Sequence, residues 1–218
     1  MMRTILLSFV AALSVTGPAG AADAPPVPGP GPQLLIEKVS RDLLREIDAN
    51  RAALAKDPAK LRALVDKILL PSFDADYSAR LVLGKYWRTA TDQQRQRFID
   101  GFVQSMMRKY GNALLEFTAD RMVVLPFKGD PAATSATVRT EVKRDNGTPV
   151  PVNYSLHATP QGWQAWDVTI EGISYVKNFR TDFGSEIEAR GLDAVIQRLE
   201  TENAAPAAQP VKASGKAG

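Results

Sequence analysis

The chain predicts an α+β layer fold, with helices packed over a curved, mainly antiparallel four-stranded sheet. Two patterns carry this. From Ile36 to Tyr110, apolar residues recur every three or four positions with charges between them, as in amphipathic helices. From Met122 to Glu171 they alternate one in two, as in strands that bury a single face. Such a sheet needs a cover, and the helices are its source.

Taken in order, Ile36, Val39, Leu43, Leu44 and Ile47 mark the first helix. Asp57-Pro58 puts a capping side chain ahead of a proline at the first helical position. Leu61, Leu64, Val65 and Ile68 form the stripe of the second helix, which Pro71 ends. Asp74 caps a third, short helix that carries Leu81 and stops near Gly84. Thr91 and Gln94 have capping-box spacing and start a long helix running to Leu115. Phe98, Phe102, Met106 and Tyr110 lie four apart on one face of it, beside Ile99 and Val103.

Four strands follow, over 122–127, 136–143, 150–158 and 163–171. Asn146-Gly147 and Thr159-Pro-Gln-Gly162 are the hairpin turns. One face carries Val138, Thr140 and Val142, then Val150, Val152, Tyr154 and Leu156, then Trp166, Val168 and Ile170. The other carries Arg139, Glu141, Asn153, Asp167 and Glu171 and is expected to be wet. Pro149 and Pro151 point to an edge strand, because proline cannot donate to a ladder. Beyond Gly172, Phe179, Phe183 and Ile187 mark a helix that Gly191 ends. Asp193 is the expected cap of a last helix docked by Val195, Ile196 and Leu199.

At 218 residues the chain suffices for one domain with a substantial core. Residues 1–22 read as a signal peptide: Arg3, an apolar run from Ile5 to Val15, and Ala19-Gly20-Ala21 as a small-x-small cleavage site. That run is too short to span a bilayer, which takes about 20 residues. Residues 23–32 are a Pro/Gly linker, 33–200 the folded domain and 201–218 a disordered tail. The formal net charge of +3 falls to +2 once Arg3 is removed, which argues against a nucleic-acid partner. The absence of cysteine excludes disulfides and thiolate chemistry.

Catalytic signals are sparse. His157, the one histidine, falls on the polar face of its strand and reads as solvated. Asp167 and Glu171 project to one face about 13 Å apart, too far to share a proton. Asp74 and Asp76 are best read as capping groups. No GxSxG, GxGxxG, P-loop or metal-ligand spacing is present. Tyr154 points inward with no strand carboxylate on its face, so an isomerase or hydrolase on this scaffold is the weaker rival, with an envelope adaptor as a third reading. No enzyme activity, cofactor or metal is expected.

A series of residues carries a family resemblance over about 34–199. It begins with Leu70-Pro71 and Asp74, Leu83-Gly84, Trp87-Arg88, Thr91, Gln94, Phe98, Phe102 and Tyr110. It continues with Val138, Thr140, Val152, Tyr154, Trp163, Trp166-Asp167-Val168, Glu171-Gly172, Ser174, Asn178, Arg180, Phe183 and Gly191. In this order and spacing the chain resembles the MlaC family, periplasmic phospholipid-binding proteins also called toluene-tolerance auxiliary proteins. Trp166 and Phe179 stand where that family commonly has tyrosine.

The resemblance implies a fold like that of nuclear transport factor 2 and a deep apolar pocket for the acyl chains of a glycerophospholipid, the cargo, with its head group at the mouth. It implies a periplasmic carrier in a Gram-negative bacterium, shuttling lipid between the outer and inner membranes to maintain outer-membrane lipid asymmetry. The implied partners are an inner-membrane MCE-domain ABC transporter complex and an outer-membrane lipoprotein–porin complex. A monomer is expected. From face assignment alone, the lining candidates are Phe98, Phe102, Met106, Tyr110, Val138, Val142, Val152, Tyr154, Leu156, Trp166, Val168 and Ile170. Lys177 and Arg180 are the head-group candidates.

Overall fold

Local capping decides where most helices begin. In the computed structural model, which describes residues 31–130, 133–144 and 147–204, α1 spans Pro32–Lys56 and α2 Pro58–Ile68. Between them the Asp57 carboxylate accepts from the Ala59 and Lys60 amides, satisfying donors that have no partner inside the helix. Asp74 accepts from the Tyr77 amide and starts α3, Ala75–Leu83. Thr91 and Gln94 form the reciprocal capping box of α4, Asp92–Tyr110. This helix stops short of Leu115, and the chain continues as a 3-10 segment over Gly111–Glu116 and another over Ala119–Arg121. After the strands come α5, Tyr175–Arg190, and α6, Leu192–Ala204. Asp193 lies inside the first turn of α6 rather than ahead of it, and its carboxylate accepts from Gln94 Nε2 at 2.8 Å. The signal-peptide reading, nearly all of the Pro/Gly linker, Asn146, and the tail beyond 204 lie outside the described residues.

The sheet has five strands, not four. β1 Met122–Val124, β2 Ser135–Lys143, β3 Pro149–Thr159, β4 Gly162–Ile170 and β5 Ile173–Ser174 form an antiparallel meander in sequence order. At two residues, β5 is too short to show alternation. β3, expected at an edge, is paired on both sides. The Pro151 carbonyl accepts from the Glu171 amide, so this residue's missing N–H points to the β4 side, where β4 ends at Ile170. Pro149 has the same parity and lies beyond the reach of β4, so neither proline interrupts the β2 ladder.

A β-bulge corrects the face assignment in β4. Asp167 lies opposite Ser155 and Ala165 opposite Leu156, which leaves Trp166 without a partner. The extra residue shifts the alternation. Trp163 and Ala165 therefore share the buried face with Leu156 and Val138 under Ile36 of α1, while Trp166 packs with the helices. The second face is also not uniformly wet. Asp167 is 5% exposed, and its oxygens accept from Ser174 Oγ at 2.6 Å and from the Val176 amide at 3.0 Å, which fixes the start of α5. His157 is likewise not solvated. It is 22% exposed, its Nε2 lies 2.9 Å from Asp74 Oδ2, and its ring lies 4.6 Å from that of Tyr77. Both corrections have one cause: α3 and α5 cover this part of the sheet, which strand periodicity does not reveal.

Among the described residues no helix is long and apolar enough to cross a membrane.

Candidate functional site

The apolar residues divide into separate clusters. The helical cluster joins α3, α4, α5 and α6. Phe98 and Phe102 are 0% exposed there. Their rings meet Phe183 and Phe179 edge to face, each at 5.3 Å, a geometry worth roughly 0.5–1.5 kcal/mol per pair beyond burial. Gly101 lets α6 approach α4, since a Cβ there would lie 3.0 Å from Leu199 Cβ. Met106, Tyr110 and Trp166 pack at the margin of the same cluster.

The sheet face holds two more clusters. Val138 and Leu156 sit with Ile36, Trp163 and Ala165 beneath α1. Val142, Val150 and Val152 form the other, with Val168, Ile170, Met122 and Phe117 against them. Tyr154 packs on both. Burial pushes its hydroxyl up to about 12, and a hydrogen bond with Thr140 partly offsets that rise. Thr140 Oγ1 in turn donates to the Val152 carbonyl at 2.9 Å. The sequence-derived lining set is thus parted: Phe98, Phe102, Met106, Tyr110 and Trp166 belong to the helical cluster, and Val138, Val142, Val152, Tyr154, Leu156, Val168 and Ile170 to the sheet face.

A cleft of about 530 Å³ opens over the second sheet cluster. Val142, Val150, Val152 and Ile170 line its apolar part, and Phe117 walls it. Arg121, Lys143 and Arg144 line it too, with Glu116 and Glu171. Its volume lies within the range of about 300–1,000 Å³ usual for ligand pockets, and an apolar lining with a few polar groups is their ordinary composition.

Arg51 of α1 anchors the wall. Its guanidinium donates to the carbonyls of Leu115 and of Phe117, the latter at 2.7 Å, and pairs with Asp48. Two carbonyls of an irregular segment are thereby held from a regular helix. Lys177 and Arg180 lie elsewhere. Both are exposed residues of α5 outside the lining of this cleft, and the Arg180 guanidinium lies against Gly84.

Sequence reading missed Arg51, Phe117, Arg121, Lys143, Arg144 and Glu171. A signal existed for Lys143-Arg144, a basic pair closing a strand just before a hairpin turn. None existed for Arg51, whose carbonyl partners are 64 and 66 residues away.

A second cleft, about 570 Å³, lies by the start of α3, lined by Asp74, Asp76, Tyr77, Arg80 and Trp87 among others. Its central carboxylate is committed: one Asp74 oxygen caps α3 and the other meets His157. Among the described residues no group of three or more His, Cys, Asp or Glu side chains is placed to hold a metal ion.

Comparison with known proteins agrees with this architecture. The family model described as MlaC protein matches residues 37–201. The toluene tolerance protein ttg2D of Pseudomonas putida is 34% identical over 163 residues, 74% of this chain and 75% of that protein. The intermembrane phospholipid transport system binding protein MlaC of Haemophilus influenzae is 24% identical over 206 residues, 93% of each chain. The solved structure of a phospholipid-binding protein from Ralstonia solanacearum, in complex with a phospholipid at 1.53 Å resolution, superposes with a TM-score of 0.73 at 28% identity, covering 79% of this chain and 96% of that one. The chain belongs to the MlaC family.

Proposed function

We propose that this chain is a non-enzymatic periplasmic carrier that binds one glycerophospholipid with its acyl chains on the sheet face. The carrying observation is the cleft of about 530 Å³ over Val142, Val150, Val152 and Ile170, in a member of a family with a phospholipid-bound structural relative. We assign the lining to Val142, Val152, Tyr154, Val168 and Ile170, with Val138 and Leu156 deeper along the same face. The helical residues Phe98 and Phe102 serve as scaffold in this reading.

The physical need for such a carrier is plain. Exposing a methylene to water costs about 0.8 kcal/mol, so two acyl chains of roughly 30 carbons in all cost on the order of 20 kcal/mol. A lipid cannot cross an aqueous gap unaided against that penalty. An enclosure of comparable apolarity makes pick-up and delivery close to isoenergetic, and no bond need be made or broken. The donor and acceptor in this reading are an inner-membrane MCE-domain ABC transporter complex and an outer-membrane lipoprotein–porin complex. The likeness to the nuclear transport factor 2 fold belongs to the same reading, with the cleft at the open side of the helix-covered sheet.

Mass spectrometry of organic extracts tests the proposal. Protein purified natively from a periplasmic extract is expected to carry about one glycerophospholipid per chain. Protein that carries none, and takes none from vesicles, contradicts it.

A further inference from the structure

We propose that the mouth of this cleft holds a phosphate subsite centred on Arg144, and that the lipid's phosphodiester replaces Glu171 on that guanidinium. The inference rests on the cleft being the lipid site. Val142 lies two residues before Arg144, and Val150 lies opposite Val142 in the β2–β3 ladder. Acyl chains laid on these valines would therefore bring the polar end of the lipid to the strand end that carries Arg144. Arg121, Lys143 and Arg144 line the cleft with Glu116 and Glu171, which places three cationic side chains around its mouth.

Arg144 is already engaged by an anion. Its Nη2 lies 2.8 Å from Glu171 Oε1, with the two side chains 52% and 53% exposed. A pair so exposed is weak and can be exchanged for a better partner. Phosphate is one, because the planar guanidinium offers paired donors that match its oxygens.

The backbone supplies a second, independent observation. Glu171 has φ 49°, the only positive value at a non-glycine among the described residues, and Gly172 follows at 84°. The turn from Ile170 to Ile173 thus needs two left-handed residues, where Asn-Gly or Gly-Gly are at home. A glutamate there works against its backbone preference, and outliers of this kind cluster at ligand sites and active sites. The carboxylate it delivers to Arg144 is the reason this structure offers for it. Glu171 then neutralises Arg144 in the empty carrier and competes with phosphate in the loaded one, which favours release.

The experiment uses the mature chain, delipidated and equilibrated with vesicles containing phosphatidylglycerol or diacylglycerol of the same acyl composition. The unmodified protein is expected to retain phosphatidylglycerol over diacylglycerol by roughly tenfold. Arg144→Gln is expected to abolish that preference, and Arg144→Lys to restore part of it. Glu171→Gln is expected to slow delivery of phosphatidylglycerol to acceptor vesicles several-fold. Excess inorganic phosphate contests the same guanidinium, so it should erode the preference for phosphatidylglycerol in the unmodified protein and have no effect on Arg144→Gln. Equal erosion in both proteins would place the anion elsewhere and overturn the proposal. An Arg144→Gln protein that keeps the full preference also overturns it, as does equal retention of both lipids by the unmodified chain. If the unmodified chain retains neither lipid, the failure lies with the cleft as a lipid site.

Discussion

The helical cluster and the sheet-side cluster are built from the same kinds of residue, yet they are finished differently. Around α4, Phe98 and Phe102 are closed off by Phe179, Phe183 and Leu199, and the rings interlock edge to face. Over the far end of the sheet, Val142, Val150 and Val152 are equally apolar, but an irregular stretch from Gly111 to Arg121 covers them and leaves a cleft. Side chains on regular helices interdigitate to crystal-like density. The wall of 3-10 turns is held by Arg51 and by Leu114 and Leu115 packed against α1 and α2, and it leaves a gap over the valines. Apolar character is common to both clusters; the regularity of the cover is what differs.

The contrast can be broken most severely in the packed region. Phe102→Ala should cost about 3–5 kcal/mol of stability, from lost burial plus the cavity left behind. Chemical denaturation would measure this, and lipid bound per folded molecule should not change. A large loss of lipid at full folding would move the guest into the helical cluster. Next in size, Arg51→Met removes charged hydrogen bonds to the Leu115 and Phe117 carbonyls. It should loosen 111–121 by about 1.5–3 kcal/mol. Amide exchange there should accelerate and lipid transfer should quicken, while protection of α4 holds.

Smaller again, Asp74→Ala should cost about 1–2 kcal/mol through the lost cap of α3, read as a lower melting temperature. It also frees His157. Because both residues lie away from the cleft lining, lipid retention should stay as it was. The smallest effect is a pH slope. The Tyr154 hydroxyl, pushed up to about 12 by burial, stays protonated in the folded state after the unfolded chain ionises near pH 10. The unfolded chain then binds fewer protons, so stability is intact below pH 10 and is lost as pH rises from about 10 to 12, at about 1.4 kcal/mol per pH unit. Tyr154→Phe should flatten that part of the profile, and an unchanged slope would mean the hydroxyl is hydrated.

What sequence disclosed and what it hid follow the same division. Asp57, Asp74 and the Thr91–Gln94 box were legible because a cap is a local contract over three residues. The apolar face of β2 and β3 was legible because their alternation runs unbroken. The bulge at Trp166 was missed although the apolar phase changes there, from Trp163 and Ala165 to Val168 and Ile170; Ala165 is too small to mark a face, and the partner strand locates the slip. Nor was the split of the lining set legible. Four-residue spacing from Phe98 to Tyr110 marks a buried stripe without naming the surface it meets, and that surface proved to be α5 and α6. Asp167 and His157 look solvated on strand parity until α3 and α5 fold over them.

Photo-crosslinking reads the position of the acyl chains directly. A phosphatidylglycerol with a diazirine in its acyl chain, loaded into the protein and irradiated, should leave adducts on Val142, Val152, Ile170 and Phe117. Adducts confined to Phe98, Phe102, Phe179 or Phe183, with the sheet face unmarked, would contradict this placement.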